Sequence, residues 1–135
     1  MKLDQKTEEA QLEAKTVHAA KVYGVWITKS EIEAELNQRY EAEDLSSPVM
    51  HHILYTRAVQ QRVDDELLYF NAKYFKGTLE EEVGHPLERA ELCEYFLETQ
   101  WKKRGSDFED KNAFRKQLLQ IYRIQAGDKL IVFTD

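Results

Sequence analysis

Cysteine, proline and glycine are all scarce in this chain: one, two and five among 135 residues. A lone Cys93 excludes an internal disulfide and any zinc site built from several thiolates. So few prolines and glycines leave long stretches with nothing to break a helix, and long helices are expected. Basic residues are outnumbered, 19 Lys and Arg against 25 Asp and Glu, for a net charge of −6. The clustered cations of a nucleic-acid surface are missing. The longest basic run, Trp101-Lys-Lys-Arg104, reads as the solvated last turn of a helix. No apolar run approaches the ~20 residues of a membrane span. The first twenty residues, MKLDQKTEEAQLEAKTVHAA, lack the apolar segment of a signal peptide. The expected compartment is the cytoplasm, or the periplasm if a leader was removed and Met1 added.

What is present is a charged, amphipathic chain, 33% charged and 42% apolar, of a length that makes one domain. Residues 1–20 are polar, with apolar positions too sparse for a firm face, and read as a frayed or flexible arm. Residues 21–135 read as a single helical domain. It opens on Val22-Tyr-Gly-Val-Trp-Ile27, a β-branched and aromatic run read as one strand, with Gly24 marking a bulge or a close backbone approach. Thr28 and Glu31 have capping-box spacing, so a helix is expected over about 29–40, burying Ile32 and Leu36.

A polar loop over 41–47 follows, then Ser47 as N-cap with Pro48 in the first turn. From Pro48 the next breaker is Gly77, which predicts one helix of about 28 residues, about 42 Å long, with Gly77 as its stop. Its apolar stripe is Val49, Ile53, Val59, Val63, Leu67, Phe70 and Tyr74. Thr78 and Glu81 repeat the capping-box spacing before a short helix ending at Gly84. Another helix is expected from Pro86 to Gly105, and a last one capped by Asp107. Leu130-Ile-Val-Phe133 is a second strand. The fold class is therefore mainly α, with a small two-stranded sheet formed by the N- and C-terminal strands. The alternative is that each strand pairs with its copy in a homodimer.

Catalytic chemistry finds no foothold. His51 and His52 are adjacent and diverge by about 100° on a helix, so they do not chelate as an i, i+4 pair would. Asp64-Asp65-Glu66 and Glu80-Glu81-Glu82 read as solvated helix faces. Cys93 sits among apolar residues in Leu92-Cys-Glu-Tyr-Phe-Leu97 and reads as an inert thiol. No catalytic residue, metal ligand or cofactor is assigned.

The pattern Val22, Gly24, Ile27, Thr28, Glu31, Ile32 and Leu36 resembles the start of the chaperone domain of SurA-like proteins, the parvulin-associated periplasmic chaperones. In that family a strand carrying Val-Asn-Gly leads into a helix through Ile-Thr; here Tyr23 stands where the Asn would be. Val63-Asp-Asp-Glu-Leu-Leu68 and Ala72-Lys-Tyr-Phe-Lys-Gly77 look similar to a later helix of the family. The resemblance covers about residues 20–77. His52-Ile-Leu54 mimics the start of a parvulin domain, but the segments that would complete that active site are absent, so the match is read as coincidence. What the resemblance implies is polypeptide binding without prolyl isomerisation, in a module whose early strand pairs with one from its end.

The leading functional expectation is a non-catalytic peptide- or protein-binding chaperone or assembly factor, with an unfolded or partly folded protein as client. The expected binding surface is aromatic: Tyr23, Trp26, Tyr55, Tyr69, Phe70, Tyr74 and Phe75. The alternative is a small acidic inhibitor, immunity or adaptor protein, steered by its negative charge to one basic partner.

Overall fold

The computed structural model describes residues 17–134. It is mainly helical with one small antiparallel sheet. Among the described residues the chain forms two compact units, one of residues 17–63 with 128–134 and the other of residues 64–127.

The first unit is built on a sheet of three strands rather than two. Strand β1 spans His18–Val22, β2 spans Val25–Thr28 and β3 spans Ile131–Phe133, in the order β2-β1-β3. The run expected as one strand is thus a hairpin. Tyr23 and Gly24 both have positive φ, 48° and 81°, the backbone of a two-residue turn matched to strand twist. Tyrosine rarely adopts that region, so the turn does not announce itself in sequence as Asn-Gly would. The arm expected over 1–20 gives way to β1 at His18; residues 1–16 lie outside the described residues.

The bulge is at Ala19, not Gly24. The ladder pairs Val22 with Val25, Lys21 with Trp26, Ala20 with Ile27 and His18 with Thr28, and its register shifts between His18 and Ala20. One extra residue lets two successive alanines turn inward, Ala19 at 1% and Ala20 at 0% exposure. The outer face keeps His18 stacked on Trp26, ring centroids 4.2 Å apart, with the Lys21 amine 4.8 Å from the indole. β3 pairs antiparallel with β1: Ala20 opposite Phe133, Lys21 opposite Val132, Val22 opposite Ile131. Backbone bonds flank this ladder at both ends, Tyr23 N–H to the Leu130 carbonyl (2.8 Å) and Thr134 N–H to that of Ala19 (3.1 Å).

Helix α1, Lys29–Arg39, starts where its cap predicts: the Thr28 hydroxyl accepts from the Glu31 N–H at 3.2 Å. Ile32 and Leu36 are fully buried, as their spacing requires. The loop expected over 41–47 holds a short helix α2, Ala42–Ser46, in which Asp44 and Leu45 donate to the Glu41 carbonyl. Helix α3, Pro48–Ala72, begins with the Ser47 hydroxyl accepting from Met50 N–H at 3.4 Å. Its start is tied to α1 by His51 and Glu33 at 2.8 Å, and Gln61 further along accepts from Arg39 at 3.2 Å. Leu54, Ala58, Val59 and Val63 are buried, but Val49 and Ile53, expected in the buried stripe, are 70% and 45% exposed.

The second unit takes the rest of α3, where Leu67, Leu68 and Ala72 are buried. Gly77 does not stop this helix. The chain tightens into a 3₁₀ turn at Lys73–Phe75 and continues as α4, Lys76–Val83, so Thr78 is inside a helix and not its cap. Gly84, at φ 83°, ends α4 in the left-handed conformation. Helix α5, Arg89–Arg104, buries Leu92, Phe96 and Gln100. It ends at Gly105, where an added Cβ would fall 2.2 Å from the Trp101 ring. A 3₁₀ turn at Gly105–Asp107 displaces the start of the last helix, which Asp110 caps instead of Asp107, accepting from Ala113 N–H at 2.8 Å. Helix α6, Lys111–Leu130, buries Phe114, Leu118, Leu119, Tyr122 and Ala126 and breaks at Gly127.

Asp64-Asp65-Glu66 is solvated only in part: Asp65 is exposed as expected, Asp64 is half-buried and Glu66 is buried. Each carboxylate meets an arginine from a later helix: Asp64 with Arg123 (2.5 Å), Asp65 with Arg115 (3.8 Å) and Glu66 with Arg89 (2.6 Å). Glu66 is buried, and the Arg89 guanidinium also lies 4.3 Å from the Tyr69 ring centroid. These pairs fasten α5 and α6 to the C-terminal third of α3.

Two stability outcomes follow. Gly24→Ala meets no steric obstacle, yet it places a Cβ at φ 81° and costs about 1–2 kcal/mol, read as a lower denaturant midpoint at unchanged slope. Arg89→Ala takes the guanidinium from the buried Glu66 carboxylate and costs about 2–3 kcal/mol, less than the ~3–5 kcal/mol of a fully buried pair because the guanidinium is half-exposed. Adding Glu66→Gln to that variant recovers part of the loss. A midpoint indifferent to Arg89→Ala would show that the pair contributes nothing.

Candidate functional site

The first unit holds a cleft of about 540 Å³ between its sheet and the N-terminal half of α3, lined by Ala19, His52, Tyr55, Thr56, Val59, Gln60 and Phe133. The helical wall follows from spacing: positions 52, 55, 56, 59 and 60 recur at i, i+3, i+4, i+7 and i+8, one face of a helix. The sheet wall follows from the ladder. Phe133 sits opposite Ala20 and shares its face, while the bulge turns Ala19 inward beside it.

Phe133 is 48% exposed, although a phenylalanine on the inner face of a sheet would ordinarily be covered. Val49 and Ile53 lie on the helical row that continues through Thr56 and Gln60, which extends an apolar strip from the cleft toward the start of α3. Polar groups sit at the margin: exposed His52 and Gln60 on the wall, and His51, whose ring lies 6.0 Å from that of Tyr55. The size falls within the range of pockets that take small ligands or side chains.

The aromatic residues expected to bind do not gather here. Tyr55 alone of the seven lines the cleft. Tyr23 is half-buried in the hairpin turn, and Trp26 lies on the opposite face of the sheet. Tyr69, Phe70, Tyr74 and Phe75 belong to the second unit. There Phe70 and Tyr74 meet edge to face at 5.5 Å with the Lys73 amine 4.6 Å from the Phe70 ring, and Phe75 packs on Phe96 at 5.3 Å. Tyr74 is the most exposed of them, at 70%. Sequence reasoning missed Ala19, His52, Thr56, Val59, Gln60 and Phe133 as a set. The one available signal was Phe133, an inner-face residue by alternation with nothing large opposite it in β1.

No family model, curated protein or solved structure matches the chain. Among the described residues no three His, Cys, Asp or Glu side chains converge as metal ligands would. No described helix is long and apolar enough to cross a membrane.

A second, smaller cleft of about 440 Å³ in the second unit is lined by Glu91, Glu94, Tyr95, Leu97, Glu98 and Lys111. The hydrogen bond from Lys111 holds the Glu98 carboxyl below its ordinary range. Cys93, nearby on α5, is half-buried. Burial pushes its thiol up, the Arg89 charge partly offsets this, and Asp65 and Glu66 add to the rise.

Because the thiolate is the reactive form, Cys93 in the native protein should be alkylated by iodoacetamide at pH 8 several-fold more slowly than in the urea-unfolded chain. Equal rates in the two states would contradict the burial that raises this thiol.

Proposed function

We propose that this protein binds extended or unfolded polypeptide through the cleft of its first unit, acting as a non-catalytic chaperone or assembly factor. The observation that carries the reading is Phe133, an inner-face aromatic left half-exposed at the mouth of an apolar cleft and continued by exposed Val49 and Ile53. Contiguous apolar surface of this kind marks interaction sites. The likeness of residues 20–77 to SurA-like chaperone modules points the same way: its motif residues form the hairpin and α1, the part of the chain that builds the sheet wall. Aromatic surface in the second unit, at Tyr74 and Phe75, is a subsidiary contact in this reading.

One observation favours the other class of partner. Glu91, Glu94 and Glu98 recur at i, i+3 and i+7 along α5 beside the second cleft, a face suited to a single basic protein. Binding there would weaken steeply with salt, whereas apolar binding at the first cleft would not.

The test uses a permanently unfolded protein, reduced and alkylated lysozyme, as client. Thr56→Trp fills the cleft from an exposed position and should change stability by no more than about 0.5 kcal/mol while weakening client binding at least tenfold. Trp26→Ser, on the opposite sheet face, should leave binding unchanged. Client binding that is absent from the native protein, or indifferent to Thr56→Trp, would overturn the reading.

A further inference from the structure

We propose that the occupant of the first-unit cleft is an extended peptide that joins β3 as a fourth strand, directing apolar side chains at alternate positions toward the cleft. This rests on the peptide-binding reading above and specifies how the chain is held.

The backbone of β3 identifies the occupant. Hydrogen bonds close the β1–β3 ladder at Tyr23 with Leu130 and at Thr134 with Ala19. In an antiparallel ladder the bonded pairs alternate, so between these two the bonded pair is Lys21 with Val132. Val132 therefore turns its N–H and C=O toward β1, and Ile131 and Phe133 turn theirs away. β3 is last in the strand order, and among the described residues nothing takes up those four groups. An unpaired strand edge of this kind is completed by another extended backbone.

The side chains narrow the choice. Ile131, Val132 and Phe133 carry no charge and no proline, the usual guards of a free edge. A residue placed opposite Phe133 shares its face, and that face is the one lining the cleft. The favoured peptide is therefore uncharged over the paired residues, with large apolar side chains at every second position.

A second copy pairing through its own β3 is too small a contact. A standard interface buries ~800 Å² per partner over ~25 residues, so three residues supply on the order of 100 Å². The peptide, which reaches past β3 and fills the cleft, meets no such limit.

The probe is a fluorescein-labelled nine-residue peptide alternating threonine and phenylalanine between terminal lysines, followed by fluorescence anisotropy. Two derivatives carry N-methyl groups on all the phenylalanines or on all the threonines. An added strand turns only one of these sets toward β3, so one derivative should lose at least tenfold in affinity and the other stay within threefold. Loss with methylated phenylalanine would mean antiparallel addition, and loss with methylated threonine parallel addition.

On the protein side, Phe133→Pro removes the outward N–H and blocks the edge while the Val132 bonds to β1 remain. It should bind at least tenfold more weakly than Phe133→Ala, which removes the same ring. Equal behaviour of the two methylated peptides, or equal affinity of the two variants, overturns strand addition. If the peptide still loses affinity to Thr56→Trp in that case, the cleft reading survives alone. No binding by the native protein overturns both. A dimer in sedimentation that Phe133→Pro dissociates, without peptide binding, assigns the edge to a second copy and also overturns the proposal.

Discussion

The ladder between β1 and β3 joins the two ends of the described chain, and Thr134 reaches the His18 carbonyl across 116 residues. Closing a flexible loop of that length costs about 4 kcal/mol in chain entropy. The few backbone hydrogen bonds of the ladder, each worth about 1 kcal/mol net, do not offset this with much to spare. The remainder comes from what the ladder covers: Ala20, Val22, Ile27 and Ile32, all at 1% exposure or less. β1 is the pivotal strand because it alone has two neighbours, and its bulge turns a second alanine inward without losing the register of the turn. The cleft depends on the same feature, since Ala19 and Phe133 reach its wall only through that pairing.

In the second unit polar side chains carry part of the architecture. Asp64, Asp65 and Glu66 occupy consecutive positions on α3, so they point around the helix instead of along one face. Each can then meet an arginine delivered by a different stretch of α5 or α6, which orients those helices in a way that apolar packing does not. Aromatic contacts fill the space between: Phe75 against Phe96, and Trp101 and Phe108 against Phe114. Gly105 fits the same pattern, since its missing side chain is what lets Trp101 fold back over the end of its own helix.

The two clefts differ in character. The first is bounded by an edge strand whose outward backbone groups meet no partner among the described residues, and by an exposed phenylalanine, which suits a partner recognised by chain geometry and apolar side chains. The second is bounded by carboxylates, one of them already engaged by Lys111, which suits a partner recognised by charge.

Local signals in the sequence were sufficient wherever one residue acts on its own neighbours. Thr28 and Ser47 cap the helices that follow them, Gly84 stops one, and Ile32 and Leu36 are buried by spacing alone. The mainly helical fold class and the strand character of 131–133 were legible for the same reason. Elsewhere the outcome depended on partners distant in the chain. Gly77 has the composition of a stop, yet the chain stays helical through it because Ala72 and Leu79, on either side, are both buried. Asp64-Asp65-Glu66 looks like a solvated run, which holds for Asp65, but distant Arg123 and Arg89 draw Asp64 and Glu66 out of water. Val49 and Ile53 belong to a sound apolar stripe, but periodicity specifies a face and not whether anything packs against it. The cleft is the extreme case: its walls come from β1, α3 and β3, and only the long-range pairing of β1 with β3 decides that Phe133 faces His52 and Thr56 instead of water or core.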